Sequence, residues 1–224
     1  MNTHIVKIIS IDPVTHNVNQ YKIEKPAGYT FTPGQATDVS VNSPELKDEK
    51  RSFTFTSLNE DSYLEFTIKS YNDHDGVTKA IGKLRAGDEL IIGDVWGAIQ
   101  YKGPGVFIAG GAGVTPFIAI LRDLNKKNKI AGNMLIFSNK TADDIILKDE
   151  FEEILGDNFI NTITDGKSKQ YDSRRIDKEY LKEKISSLDQ HFYICGPVPM
   201  IEAVEADLLM LNAKPEFIVK EDLG

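Results

Sequence analysis

Cysteine is nearly absent: the 224 residues hold one, Cys195. A single thiol closes no intrachain disulfide and cannot supply the several thiolates of an iron–sulfur cluster. Long apolar runs are missing too. None approaches the roughly 18 residues a membrane-spanning helix needs, so no membrane span is expected. Positive charge is in deficit, with 26 lysines and arginines against 34 aspartates and glutamates and a formal net charge of −8. That balance argues against bulk binding to nucleic acid or anionic lipid. The opening residues, Met1-Asn2-Thr3-His4-Ile5-Val6-Lys7, lack the basic start and apolar stretch of a secretion signal, and the expected location is cytoplasmic. His4, His16, His74 and His191 are scattered and read as surface or structural residues, and no metal site is expected.

What is present falls into two rhythms. Residues 4–12, 17–24, 35–41, 52–57, 63–70 and 89–95 read as short strands separated by turn residues. Leu64-Glu65-Phe66-Thr67-Ile68-Lys69 alternates apolar and polar, the period of a half-buried strand. A short helix over 77–84 interrupts the series, and the six strands suggest a closed antiparallel barrel. After Lys102-Gly103-Pro104-Gly105 the pattern changes. Strands at 106–109, 133–138, 159–164, 192–195 and 216–220 alternate with helices near 116–126, 145–155, 178–187 and 199–211. Phe117, Ile120, Leu121 and Leu124 share one helical face, Gly156 is a stop, and Asp177 is an N-cap. Such alternation implies a doubly wound parallel sheet. Two domains are expected, at 1–102 and 103–224.

The clearest site is Val106-Phe107-Ile108-Ala109-Gly110-Gly111-Ala112-Gly113-Val114-Thr115-Pro116. An apolar strand enters a glycine-rich turn and then a helix, whose unpaired amides and dipole suit phosphate. Thr115 is expected to cap the helix, with Pro116 at its first position. Thr115-Pro116 stand where a G-x-G-x-x-G loop has its third glycine, and a tight turn without ligand is the competing reading. Phe192-Tyr193-Ile194-Cys195-Gly196-Pro197-Val198-Pro199-Met200 forms a second such junction, placing Cys195 at the ligand-binding edge of the sheet.

These segments together resemble the ferredoxin–NADP reductase superfamily over nearly the whole chain. Phe31-Thr32-Pro33-Gly34-Gln35, Arg51-Ser52-Phe53-Thr54, Gly76-Val77-Thr78, the Gly110–Pro116 turn and Cys195-Gly196-Pro197-Val198-Pro199-Met200 stand in that family's order. The resemblance implies an antiparallel six-stranded Greek-key β-barrel followed by an α/β doubly wound parallel five-stranded sheet. It implies FAD rather than FMN, and NAD(P)H. Arg51 would pair with flavin phosphate, for which its fork of donors is suited. Phe53 would pack on the isoalloxazine ring, where the family usually has tyrosine. Thr54 would bond the hydride-accepting nitrogen, and Gly76, Val77 and Thr78 would hold pyrophosphate. Ser52, Thr67 and Lys69 join the flavin side. Gly110, Gly111, Gly113, Thr115, Pro116, Ser138, Lys140, Cys195, Gly196, Pro197 and Met200 form the nicotinamide side. Thr54 and Cys195 are the candidate catalytic residues, since hydride chemistry belongs to the cofactors and needs no acid–base pair.

The implied activity is a flavin-dependent NAD(P)H oxidoreductase, a monomer passing electrons to a separate acceptor such as flavodoxin or ferredoxin. Lys69, Lys126, Lys127 and Lys129 are candidates for a basic docking face. The stretch 137–151 is similar to that of NADH-dependent b-type cytochrome reductases, while Lys140, Arg174 and Arg175 are either candidates to meet a 2′-phosphate or solvated loop charges. No aromatic ends the chain at Lys220-Glu221-Asp222-Leu223-Gly224, so access to the flavin would be less gated. Trp96 either covers one side of the flavin or packs between domains. The rival readings are a catalytically silent nucleotide-sensing or interaction module, and an electron-transfer subunit of a larger oxidoreductase.

Overall fold

The computed structural model describes residues 2–71, 76–97 and 99–220; His74 and the residues after Lys220 lie outside them. The first sheet contains β1 (His4–Thr15), β2 (Val18–Glu24), β3 (Ala36–Val41), β4 (Arg51–Thr54), β5 (Tyr63–Lys69) and β6 (Glu89–Trp96), antiparallel throughout in the order β4-β3-β6-β1-β2-β5. Its ends meet through a bridge between Phe55 and Phe66 and a bond from the Thr56 amide to the Glu65 carbonyl (2.8 Å), which closes the barrel. β4 is shorter than expected because the chain leaves β3 at Phe55 to make that closure. Among the described residues β4 pairs with β3 alone, so the outer edge of residues 51–54 carries no strand. Leu64, Phe66 and Ile68 point into the barrel core with Tyr21, Ile23 and Phe55. The short helix α1 (Val77–Ile81) plugs this core with Val77 and Ile81 and ends earlier than expected, at Gly82.

The second sheet contains β7 (Gly105–Gly110), β8 (Met134–Asn139), β9 (Phe159–Ile163), β10 (His191–Cys195) and β11 (Ile218–Lys220), all parallel, in the order β11-β10-β7-β8-β9. Helices α2 (Thr115–Lys126) and α3 (Lys148–Leu155) pack on one face, α4 (Lys178–Lys184) and α5 (Val198–Met210) on the other. Both halves therefore have the expected architecture. Asp177 accepts from the Tyr180 amide (2.8 Å) as the N-cap of α4, and Gly156 ends α3 at φ 54°. Local boundaries differ where side chains outcompete periodicity. Residues 145–147 are not helical: Thr141 and Asp144 close a reciprocal capping box around Ala142–Asp144, Ile145 is extended, and Ile146 and Leu147 form a turn, with both isoleucines buried. A 3-10 turn at Pro215–Phe217 delays β11 to Ile218.

The two halves are joined tightly. The Tyr193 hydroxyl accepts from the Lys102 and Gly103 amides (2.8 and 3.0 Å) and donates to the Gly103 carbonyl (2.7 Å), pinning the crossover. Val18 and Ile99, both before the crossover, are buried in the same cluster as Phe107, Phe117 and Leu121. Gly34, at φ +95°, lies so close to this crossing that an added Cβ would fall 2.0 Å from the Ile99 carbonyl oxygen. The outer face of β5 is consequently not solvated. Glu65 and Thr67 are both buried, because the second domain covers the polar side of the alternation.

Candidate functional site

The carboxyl ends of β7, β8 and β10 lie side by side, with Cys195 paired to Ala109 and Gly110 to Ser138. The two glycine turns that follow knit together. A Cβ on Gly110 would sit 2.4 Å from the Met200 sulfur and 3.0 Å from Pro197, and one on Gly113 would sit 2.4 Å from the Cys195 carbonyl oxygen. Gly196 in turn approaches the Gly110 amide. These three glycines therefore serve loop-to-loop contact. Gly111 is different: it holds φ +52° with nothing within 4 Å of an added Cβ, so its backbone faces open space. Gly111–Val114 already winds as a 3-10 turn, so the N-cap of α2 is Val114 and Thr115 is its first residue. This corrects the expected cap. The Thr115 hydroxyl instead donates to the Ala112 carbonyl (3.0 Å), holding the turn closed, and Pro116 is buried. Cys195 is buried at the strand end, Ser138 is half-buried, and Lys140, Pro197 and Val198 are exposed.

On the barrel, Thr54 and Trp96 both pair with Ala36, from opposite sides. Opposed residues share a face, so the three form a row spanning two strand spacings, about 10 Å. Trp96 is 43% exposed, so part of its indole is open beside this row. Ser52 donates to Asp38 Oδ1 (2.9 Å) on the same face. Phe53 turns the other way and packs against the barrel core, its ring 6.2 Å from that of Phe66. Arg51 is exposed and donates to the Lys50 carbonyl (2.7 Å), with no carboxylate partner among the described residues. At the start of α1, Gly76 has open space around an added Cβ, no acidic residue occupies the first turn, and Thr78 is half-buried.

The residues present suit diphosphate-bearing cofactors. Two helix starts without acidic residues, each preceded by a glycine open to solvent, offer amide donors, and Arg51 supplies an unmatched cation. Two of the expected flavin residues are occupied otherwise. Thr67 donates to Thr56 Oγ1 (3.2 Å) and accepts from Gln20 Nε2 (3.4 Å) inside the domain interface. Lys69 lies 3.7 Å from Asp144 across that interface. Burial alone would raise the Asp144 pKa, but hydrogen bonds from the Thr141 hydroxyl and amide, with the Lys69 charge, hold it below the usual carboxylate range. Lys126 and Lys127 are paired with Glu60 (2.6 Å) and Asp123 (2.8 Å), which neutralises most of the expected basic face. His4 packs edge-on to Tyr29, His191 lies against Phe217, and His16 is 3.9 Å from Asp144.

Arg122, which sequence reasoning passed over, joins the domains. Its Nη1 donates to the Thr56 carbonyl and to Glu65 Oε1 (both 2.7 Å), and its Nε and Nη2 grip Glu150 (2.5 and 2.8 Å). Burial alone would lower its pKa, but the Glu150 and Glu65 carboxylates more than offset that and raise it. The one available signal was an arginine inside the apolar run Phe117-Ile118-Ala119-Ile120-Leu121-Arg122.

Comparison with known proteins agrees with this geometry. The family model of the oxidoreductase FAD-binding domain matches residues 5–101, and that of the oxidoreductase NAD-binding domain matches residues 107–206. The reductase component of propane 2-monooxygenase from Rhodococcus jostii is 27% identical over 94% of this chain and 60% of its own length. NADH-cytochrome b5 reductase 1 from Eremothecium gossypii is 29% identical over 90% of this chain and 78% of its own. The chain thus spans about three fifths of the monooxygenase reductases it matches. A ferredoxin NADP+ reductase from Neisseria gonorrhoeae, solved with FAD and NADP bound, superposes with a TM-score of 0.85 at 19% identity, covering 99% of this chain and 98% of that one; the likeness is one of fold. With the two domain models matched in order over residues 5–101 and 107–206, the chain belongs to the oxidoreductases that carry an FAD-binding domain followed by an NAD-binding domain.

Proposed function

We propose that this chain is the reductase unit of an electron-transfer system, reducing FAD with NADH and passing the electrons to a separate redox protein. The observation that carries this reading is the pairing of two phosphate-suited turns, at Gly76 and Gly111, on domains locked together through Arg122. When bound, the cofactors supply the chemistry, a hydride moving from nicotinamide to flavin. The chain supplies placement. Arg51 and the first-turn amides of α1 anchor the flavin phosphates. Thr54 offers its hydroxyl beside the ring, and Trp96 flanks the same row. On the other domain, Gly111 lets the nucleotide approach the backbone, and Cys195 and Thr115 line the nicotinamide position without presenting charge. A buried, uncharged wall there excludes water from the reacting pair.

NADH is favoured over NADPH by the likeness of the 137–151 stretch to NADH-dependent b-type cytochrome reductases, and one of the candidate 2′-phosphate arginines is engaged. The Arg174 guanidinium lies 4.5 Å over the Tyr180 ring and pairs with Glu183 (2.5 Å). Of the other candidates, Lys140 lacks the bidentate fork that phosphate prefers, and Arg175 is exposed. The acceptor is a separate protein such as a ferredoxin, flavodoxin, cytochrome or oxygenase component, as the names of the relatives suggest. With Lys126 and Lys127 already paired, docking depends less on long-range charge than in reductases with an open basic face. The test is anaerobic titration of purified yellow protein with NADH and NADPH in parallel, with the flavin released by heat and identified by chromatography. FAD bleached faster by NADH is expected. FMN alone, or a flavin that neither nucleotide reduces, overturns the reading.

A further inference from the structure

Val18 and Ile99 pack into the second domain's core, and apolar contact is non-directional: it holds two surfaces together without fixing their rotation. At the crossover the Tyr193 hydroxyl accepts from the Lys102 amide (2.8 Å) and Tyr101 bonds Asn133 (3.3 Å); away from it, directional ties come from few groups. Lys126–Glu60 joins two exposed side chains, a class of pair that contributes little. Lys69 and His16 reach Asp144 only at 3.7 and 3.9 Å. Arg122 is of another kind. Its planar fork bonds three groups on three segments: the Thr56 carbonyl, the Glu65 carboxylate of β5 and the Glu150 carboxylate of α3. The barrel end of this network is itself fixed, because Glu65 Oε1 also accepts from the Thr56 hydroxyl (2.9 Å) and Gln20 Nε2 (3.1 Å).

The positions of these groups along the chain give the network a second meaning. Thr56 lies two residues beyond Thr54. Arg122 lies seven residues beyond Thr115 on α2, about 10 Å at the rise of an α-helix. Glu150 opens the helix that follows the Lys140 loop. One guanidinium therefore connects, by short rigid paths, the barrel residue beside the flavin and both nucleotide-facing segments. We propose that Arg122 is a positioning residue for hydride transfer, setting the separation and angle between the Thr54 edge of the barrel and the Thr115 turn. This rests on the functional reading above. Lysine is a poor substitute, since its compact ammonium lacks the planar fork that meets the three acceptors together.

Arg122→Met alone strands two carboxylates in the interface. The main variant is therefore Arg122→Met combined with Glu65→Gln and Glu150→Gln, which removes the charges together. Arg122→Lys, which keeps a cation, is measured beside it. Each is prepared with FAD and compared with wild type for flavin content, NAD+ affinity, and anaerobic stopped-flow reduction by NADH and by NADH deuterated at the transferred position. Flavin content and NAD+ affinity within about twofold of wild type are expected, with reduction slowed on the order of 100-fold, the scale of a modest misplacement. The long-wavelength absorption of the stacked nicotinamide–flavin pair should weaken, a signature that simple loss of stability would not produce. Arg122→Lys should fall between wild type and the triple variant. Flavin-loaded variants that are reduced at the wild-type rate, or slowed only in proportion to lost NAD+ affinity, overturn the proposal. A wild-type flavin that NADH fails to reduce would instead overturn the functional reading itself.

Discussion

At the scale of single residues, environment separates binding from chemistry. Arg51 is exposed and bonds only the neighbouring backbone, so Arg51→Ala should leave the fold intact. A lost charge-assisted bond is worth about 1.5–3 kcal/mol, so flavin affinity should drop on the order of 10- to 100-fold, measurable by equilibrium dialysis. Thr54→Val removes one hydroxyl from the row with Ala36 and Trp96. A neutral hydrogen bond is worth about 0.5–1.5 kcal/mol, so flavin should stay bound while stopped-flow reduction slows more than binding weakens. Wild-type reduction in Thr54→Val would remove it from the site. The positions of the motif residues were legible because they are local: a glycine turn after an apolar strand, or an arginine at a strand start, is marked by its neighbours. The interface contacts of Thr67 and Lys69 were not legible, since alternation reports which residues face outward but not what covers that face. Here the covering surface is the second domain, and it converts Thr67, Glu65 and Lys69 into interface residues.

At the scale of elements, the two glycine turns act as one unit. The sequence shows each as a strand running into a glycine, and close approach to a ligand is the natural reading. The structure shows that Gly110, Gly113 and Gly196 approach one another instead, a contact between segments more than 80 residues apart that no local pattern encodes. Gly113→Ala would press a methyl against the Cys195 carbonyl at 2.4 Å with backbone on both sides. Such overpacking costs about 1–3 kcal/mol, and in a chain this long each kcal/mol lowers Tm by about 2–4 °C. Gly111→Ala meets no atom but forces a side chain into the left-handed region, at about 1–2 kcal/mol. Thermal melts should show both losses. Only Gly113→Ala should also displace Cys195, seen as faster labelling of that thiol. The strand and helix order was read correctly for a related reason: apolar periodicity spans whole elements, whereas the capping box at Thr141–Asp144 and the turn at Pro215–Phe217 are decided by single side chains.

At the scale of the whole molecule, the interface contains a group that titrates. Asp144 in the folded chain has its pKa depressed, so the native state binds fewer protons than the unfolded one as pH falls through the carboxylate range. Its contribution to stability is therefore complete at neutral pH and is lost as pH drops through the folded value. Asp144→Asn should be less stable than wild type at pH 7, and the gap should narrow on acidification. Tm measured for both proteins from neutral to acid pH checks the sign. A gap that widens in acid would mean that the bonds from Thr141 and the charge of Lys69 do not act as described. The bare outer edge of residues 51–54 has a different kind of consequence. A strand whose amides and carbonyls lack partners is a template for another strand, and this one lies where the flavin is proposed to bind. Cofactor supply during biosynthesis then governs colloidal behaviour as well as colour. Chains made when flavin is scarce present a short adhesive edge, guarded by the charges of Lys50 and Arg51, and light scattering from flavin-stripped protein should rise and then subside when FAD is returned.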